Sequence, residues 1–212
     1  MDTELVVFDM DGTLSNTAPG IIKSFLHVAH ELGVPEPSRE ALYAVKGGSL
    51  IDDMAKLYGI GREEAIGAAE LFKEFYGREG YLEAVLFPGM QETLDALRDM
   101  GIPMGVATMK PDEYAKQLAF HWGLDGYFVD VCGADDLGLL SKSDLIDRCI
   151  YAAEAEPEKT LMVGDTPNDL RGARESGTRF VAVTFGYGFT PDICRQNGIP
   201  FTEDAGGVLD FI

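Results

Sequence analysis

The chain alternates between short apolar runs and longer stretches of helical periodicity. Four runs end in a polar residue: Leu5 to Phe8 before Asp9, Met104 to Ala107 before Thr108, Leu161 to Gly164 before Asp165, and Phe180 to Val183 before Thr184. Continuous apolar runs of this length fit strands buried on both faces, as in a parallel sheet covered by helices. Tyr127 to Cys132 forms a fifth, interrupted by Asp130. Between the runs, Met90, Leu94 and Leu97 repeat on one helical face, with Gly101 placed to stop it. Leu145, Ile146, Cys149, Ile150 and Ala153 make a second amphipathic stripe. This alternation predicts right-handed βαβ units and an α/β fold, a doubly wound parallel sheet.

Residues 15 to 82 break the rhythm. Ile21, Ile22, Phe25, Leu26 and Ala29 form one apolar helical face, and Ala65, Ala68, Ala69, Leu71, Phe72 and Phe75 form another. Residues 15–82 are therefore expected to be a helical domain, inserted between residues 1–14 and 83–212 of the α/β core. Pro88-Gly89 marks the re-entry. Phe201 to Ile212 has room for a last short strand and helix.

The length of 212 residues suits one such core with its insertion. Lys and Arg number 17 against 36 Asp and Glu, a net charge of −19, while 46% of residues are hydrophobic. The acidity thus belongs to a folded protein rather than a disordered tail. So negative a surface repels phosphate backbones and anionic headgroups, which argues against nucleic-acid and membrane partners. Cys132, Cys149 and Cys194 cannot pair completely and lack metal-ligand spacing, which points to a reducing compartment. The opening MDTELVVFDMDGTL has no basic leader character, and no apolar run approaches the roughly 20 residues of a membrane span. A soluble, cytoplasmic protein is expected.

In open α/β sheets ligands bind beyond the carboxyl ends of the strands. Asp9, Thr108 and Asp165 stand where their runs stop, so parallel strands would gather them at one edge. Asp9 and Asp11, two residues apart and followed by Gly12-Thr13, can divide the work of nucleophile and general acid/base. Asp165 and Asp169, four apart across a strand-to-helix turn, suit a hard divalent cation; capping of that helix by Asp165 or Asn168 competes with this, and the two can coexist. Thr108 and the Met109 N–H suit a phosphate oxygen, although a capping threonine is the commoner fate. Lys142 could reach the same edge as a point charge, or stand exposed on its helix.

The order DxDGT, strand-end Thr, Lys, GDxxxD resembles the haloacid dehalogenase-like hydrolase superfamily along the whole chain. That resemblance implies a modified Rossmann core with an α-helical cap. It makes Asp9 the nucleophile that forms an aspartyl-phosphate, and Asp11 the group that protonates the leaving alcohol and then activates water. It assigns Met10, Thr108, Met109 and Lys142 to phosphate binding. Mg²⁺ would be held by Asp9, Asp165 and the carbonyl of Asp11, with Asp169 a ligand through water or an anchor behind the ligands. Asp11 favours phosphatases and phosphomutases over dehalogenases, which lack an Asp there. Gly12-Thr13-Leu14, Phe185-Gly186-Tyr187-Gly188 and Glu79-Gly80-Tyr81 look like the phosphoglycolate phosphatase branch. The expected partner is a small phosphorylated metabolite, handled by a monomer or homodimer. A 5′-nucleotidase, a pyrophosphatase and a phosphomutase resembling β-phosphoglucomutase stay open as alternatives. Specificity is expected in the cap, where Lys46, Gly47 and Gly48 could form a substrate loop or simply end a helix.

Overall fold

The first apolar run is strand β1 (Leu5–Phe8), buried along its whole length. A computed structural model describes residues 3–43, 50–135 and 139–212. Among them follow β2 (Ser15–Asn16), β3 (Val85–Leu86), β4 (Met104–Pro111), β5 (Phe128–Ala134), β6 (Thr160–Gly164), β7 (Arg179–Val183) and β8 (Phe201–Thr202). Six of these form one sheet in the order β5-β4-β1-β6-β7-β8. Every pairing in it is parallel. Register puts Phe8 beside Val106 on one side and Val163 on the other, so β1 and β6 end almost level while β4 continues to Pro111.

The chain divides into two compact units, Met1–Asn16 with Val85–Ile212, and Thr17–Ala84. The second unit contains helices α1 (Ala18–Leu32), α2 (Arg39–Tyr43), α3 (Leu50–Tyr58) and α4 (Arg62–Arg78). Helix α1 starts with a proline in its first turn and ends on Gly33 at φ 64°, each residue in the position its backbone favours. The apolar faces of α1 and α4 meet in a core of Phe25, Val28, Met54, Ala65, Ala68, Ala69 and Phe72. The rings of Phe25 and Phe72 lie 4.8 Å apart.

The first unit adds α5 (Met90–Asp99), α6 (Asp112–His121), α7 (Lys142–Ala153), α8 (Pro167–Ser176) and α9 (Pro191–Asn197). Helix α7 begins at a capping box: Ser141 Oγ accepts from the Asp144 N–H, and Asp144 Oδ2 accepts from the Ser141 N–H. Its stripe of Leu145, Ile146, Cys149 and Ile150 packs on Leu5, Val7, Ala107 and Met162.

Three details depart from the sequence pattern. β4 runs to Pro111, so Thr108 lies within the strand; its register against β5 shifts between Ala107 and Pro111, which lets the irregular end stay paired. β5 tolerates Asp130 because it is an edge strand with its first three residues only partly covered. Ser15–Asn16 and Val85–Leu86 pair antiparallel, a ribbon too short to leave a periodic signal.

Since Phe25 is buried within the helical unit, Phe25→Ala should destabilise that unit by about 3–5 kcal/mol. Hydrogen exchange should accelerate through α1, α3 and α4 well before it does in β1 and β6.

Candidate active site

After β1 the chain steps to β4 and β5 on one side, then returns to β6, β7 and β8 on the other. The reversal at β1 opens a crevice at the carboxyl ends of β1, β4 and β6, where such sheets bind ligands. Asp9 and Asp165 directly follow β1 and β6, Thr108 lies within β4, and all three are buried.

Lys142, the first residue of α7, ties the crevice together. Its Nζ donates to Asp9 Oδ1 at 2.6 Å and to the Ala107 carbonyl at 2.7 Å, and lies 2.8 Å from Asp169 Oδ1. Its side chain is only 3% exposed. An ammonium at a helix N-terminus opposes the helix dipole, so the two carboxylates must hold it there. Burial works against the charge on Lys142, but Asp9 and Asp169 outweigh it and raise the pKa. Gly172 of α8 makes room: a Cβ there would stand 2.6 Å from Lys142 Cγ.

Asp169 uses its two oxygens differently. Oδ1 faces Lys142, while Oδ2 accepts from the Thr166 N–H at 2.9 Å and the Thr166 hydroxyl at 2.7 Å. It therefore caps α8 and lines the crevice at once. The capping falls to Thr166 and Asp169, not to Asp165 or Asn168. Asp165 accepts from Thr13 Oγ1 at 3.3 Å and from the Tyr187 N–H at 2.7 Å. The loop carrying Tyr187 presses on it so tightly that a Cβ on Gly186 would fall 2.5 Å from Asp165 Cβ and 2.2 Å from the Gly12 carbonyl oxygen.

Asp9, Asp165 and Asp169 each offer a carboxylate oxygen, and these atoms lie within 4.8 Å of one another. Three buried carboxylates thus meet one ammonium. Burial is the main reason the Asp9 carboxyl rises to about 8; Lys142 pulls it down, and Asp169 and Asp165 push it back up. Burial likewise lifts Asp165 to about 6, against the hydrogen bond from the Tyr187 N–H. An all-oxygen donor set with excess buried negative charge fits a hard divalent cation such as Mg²⁺.

The Asp11 carboxylate stands apart from this cluster. It pairs with Lys110, whose Nζ donates to Oδ1 at 3.1 Å and Oδ2 at 3.0 Å. Thr108 Oγ1 accepts from the Lys110 N–H at 3.2 Å. The Met10 side chain is buried, and its carbonyl accepts from the Ser15 N–H in the turn that follows β1. Met109 exposes its side chain. Lys46, Gly47 and Gly48 lie outside the described residues. Sequence reasoning passed over Lys110, Gly172 and the Thr13 hydroxyl. No pattern along the chain marked the lysine, because the apolar run stops at Ala107 while β4 continues through Lys110.

Gly186→Ala should displace Asp165; Mg²⁺ held by the cluster would then bind about 10–100-fold more weakly, read by calorimetric titration of the metal. In the chelated protein, raised carboxyl pKa values mean that the folded state keeps protons that the unfolded chain, near 3.8, releases. Stability is then fullest below that value and is lost as pH climbs through about 6 and on to about 8. Melting in EDTA should therefore fall from about pH 5 to pH 8, and saturating Mg²⁺ should flatten the slope.

Residues 6–183 match the family model for haloacid dehalogenase-like hydrolases. The tyrosine-protein kinase PtkA of Mycobacterium tuberculosis is 34% identical over 87% of this chain, which spans only 63% of that protein. The 5′-nucleotidase of Pseudomonas aeruginosa is 32% identical over 94% of this chain and 90% of its own. The phosphoglycolate phosphatase of Vibrio parahaemolyticus is 27% identical over 92% and 90%. A crystal structure of a putative phosphatase from Clostridium difficile superposes with a TM-score of 0.90 at 27% identity, covering 100% of this chain and 99% of that one. With its doubly wound core, its buried carboxylates around Lys142 and a family match across most of its length, the chain belongs to the haloacid dehalogenase-like hydrolases.

Proposed function

We propose that the protein is a Mg²⁺-dependent phosphomonoesterase that cleaves small phosphate esters through an aspartyl-phosphate on Asp9. One observation carries this reading: Lys142 holds Asp9 within a buried carboxylate cluster at the switch point of the sheet, with a second acid two residues on. Phosphoryl transfer demands placement and charge neutralisation above all. Asp9 attacks phosphorus while Lys142 on Oδ1 fixes the carboxylate. Asp11 gives its proton to the departing oxygen, then takes one from the water that attacks the phosphoenzyme. Thr108, the backbone of Met10 and Met109, and Lys142 hold the phosphoryl oxygens. Mg²⁺ on Asp9 and Asp165, with Asp169 beside them, would screen the repulsion between nucleophile and phosphate.

The phosphoglycolate phosphatase and 5′-nucleotidase relatives put small phospho-acids and nucleoside monophosphates first among candidate substrates, with phosphoglycolate as the leading one. Lys46, Gly47 and Gly48 remain the proposed source of selectivity.

Asp9→Asn should lower the hydrolysis of p-nitrophenyl phosphate with Mg²⁺ by at least about 10³-fold, and no phosphoenzyme should be trapped on acid quenching. Near wild-type turnover by that variant would dismiss the mechanism. EDTA should abolish turnover, and the binding of inorganic phosphate read by calorimetry should be lost with it.

A further inference from the structure

Lys110 is a second buried lysine in the crevice, and the steps above leave it without a task. Its side chain is 3% exposed, as deeply covered as that of Lys142, while its partner Asp11 is 34% exposed. The alternation along β4 explains its direction. Thr108 is buried, Met109 exposed and Lys110 buried, so Lys110 shares a strand face with Thr108. Both oxygens of Asp11 bind the one ammonium, at 3.1 and 3.0 Å. A surface lysine would have little reason to hold such a geometry, because exposed ion pairs contribute little. A buried ammonium, in contrast, needs its counter-charge. The crevice thus contains two separate pairings: Lys142 with Asp9 and Asp169, and Lys110 with Asp11.

We infer that Lys110 is a positioning residue for proton transfer, holding the Asp11 carboxylate at the crevice as its first proton leaves and until water returns one. This rests on the phosphatase reading above. In the first step the Asp9 oxygen bonds to phosphorus and the bond to the leaving oxygen breaks. The electron pair stays on that oxygen, which takes the proton from Asp11. Asp11 is then a carboxylate on a short, part-exposed side chain, free to turn to solvent unless something holds it. Lys110 holds it by both oxygens. In the second step water bonds to phosphorus, its proton passes to Asp11, and the electron pair of the broken bond returns to Asp9.

The test combines Lys110→Met, which keeps the length of the side chain without its charge, with Asp11→Asn, in the Mg²⁺-loaded protein. Single-turnover cleavage is compared for an alkyl monophosphate, whose leaving group needs a proton, and for p-nitrophenyl phosphate, whose leaving group does not. Lys110→Met should slow the alkyl ester about 10–100-fold with KM little changed, and the nitrophenyl ester less than about threefold, because general acid catalysis is at stake only in the first. Lys110→Arg should restore most of the loss. Added to Asp11→Asn, Lys110→Met should cost nothing further, as expected for residues acting through one group. Equal losses on both esters, additive losses in the double variant, or a raised KM with kcat intact would each overturn the inference and make Lys110 a structural or substrate-binding residue. If Lys110→Met fails to melt cooperatively, the same comparisons are read on Lys110→Gln. Should Asp9→Asn remain active, the phosphatase reading itself falls. If Asp9→Asn is dead while Lys110→Met treats both esters alike, only the role of Lys110 falls.

Discussion

The ammonium of Lys142 lies between two carboxylates that β1 and α8 bring from distant parts of the chain, Asp9 at 2.6 Å and Asp169 at 2.8 Å. Much of the surrounding architecture follows from keeping that group buried. Helix α7 must start at Lys142, and Ser141 and Asp144 cap it there. Helix α8 must pass close enough for Asp169 to reach, so Gly172 faces the lysine stem. The Ala107 carbonyl within β4 accepts a further hydrogen bond from the ammonium at 2.7 Å. A buried cation with three good acceptors is tolerable. One stripped of a partner is strongly destabilising, by about 3–5 kcal/mol. The crevice is therefore set by the same contact that would orient the nucleophile.

That contact leaves the electrostatics unfinished. Asp165 adds a third buried carboxylate to the cluster, and nothing among its hydrogen-bond partners Thr13 and Tyr187 carries charge. The protein as a whole adds to the imbalance, with its net charge of −19. An anionic ester approaching such a protein meets repulsion at long range and at short range alike. Long-range repulsion is screened within about 8–10 Å at physiological salt, so the local field decides. A divalent cation held by the cluster would reverse that field where it matters. The acids that contribute to the overall charge would then be, at this one point, the means of admitting a phosphate.

How much of this the sequence disclosed depended on burial. β1, β6 and β7 could be read because they are covered on both faces and their residues are nearly all apolar. Asp9 and Asp165 stood out because each ends such a run. β5 was blurred by its edge position, which permits Asp130, and the β2–β3 ribbon pairs only two residues per strand. Lys110 was overlooked for a related reason. The apolar run stops at Ala107, which leaves Lys110 beyond the expected strand, yet β4 continues through it and points it inward. The capping and cation-binding readings of Asp169 looked like competitors in one dimension. In three dimensions they use different oxygens of the same carboxylate.

The cluster also explains why reaction class was easier to read than substrate. In the proposed reaction Asp9, Lys142, Asp165 and Asp169 would answer to the phosphoryl group, and every monoester presents the same one. Nothing in their geometry depends on what the ester oxygen is attached to. A core of this kind can be kept while the organic part of the ligand changes, and relatives with similar cores accordingly carry names as different as 5′-nucleotidase and phosphoglycolate phosphatase. Selectivity must then arise from groups that meet the rest of the molecule, and such groups need no fixed spacing from the strand ends. They are constrained by the shape of one ligand rather than by the charge common to all, so no pattern along the chain announces them.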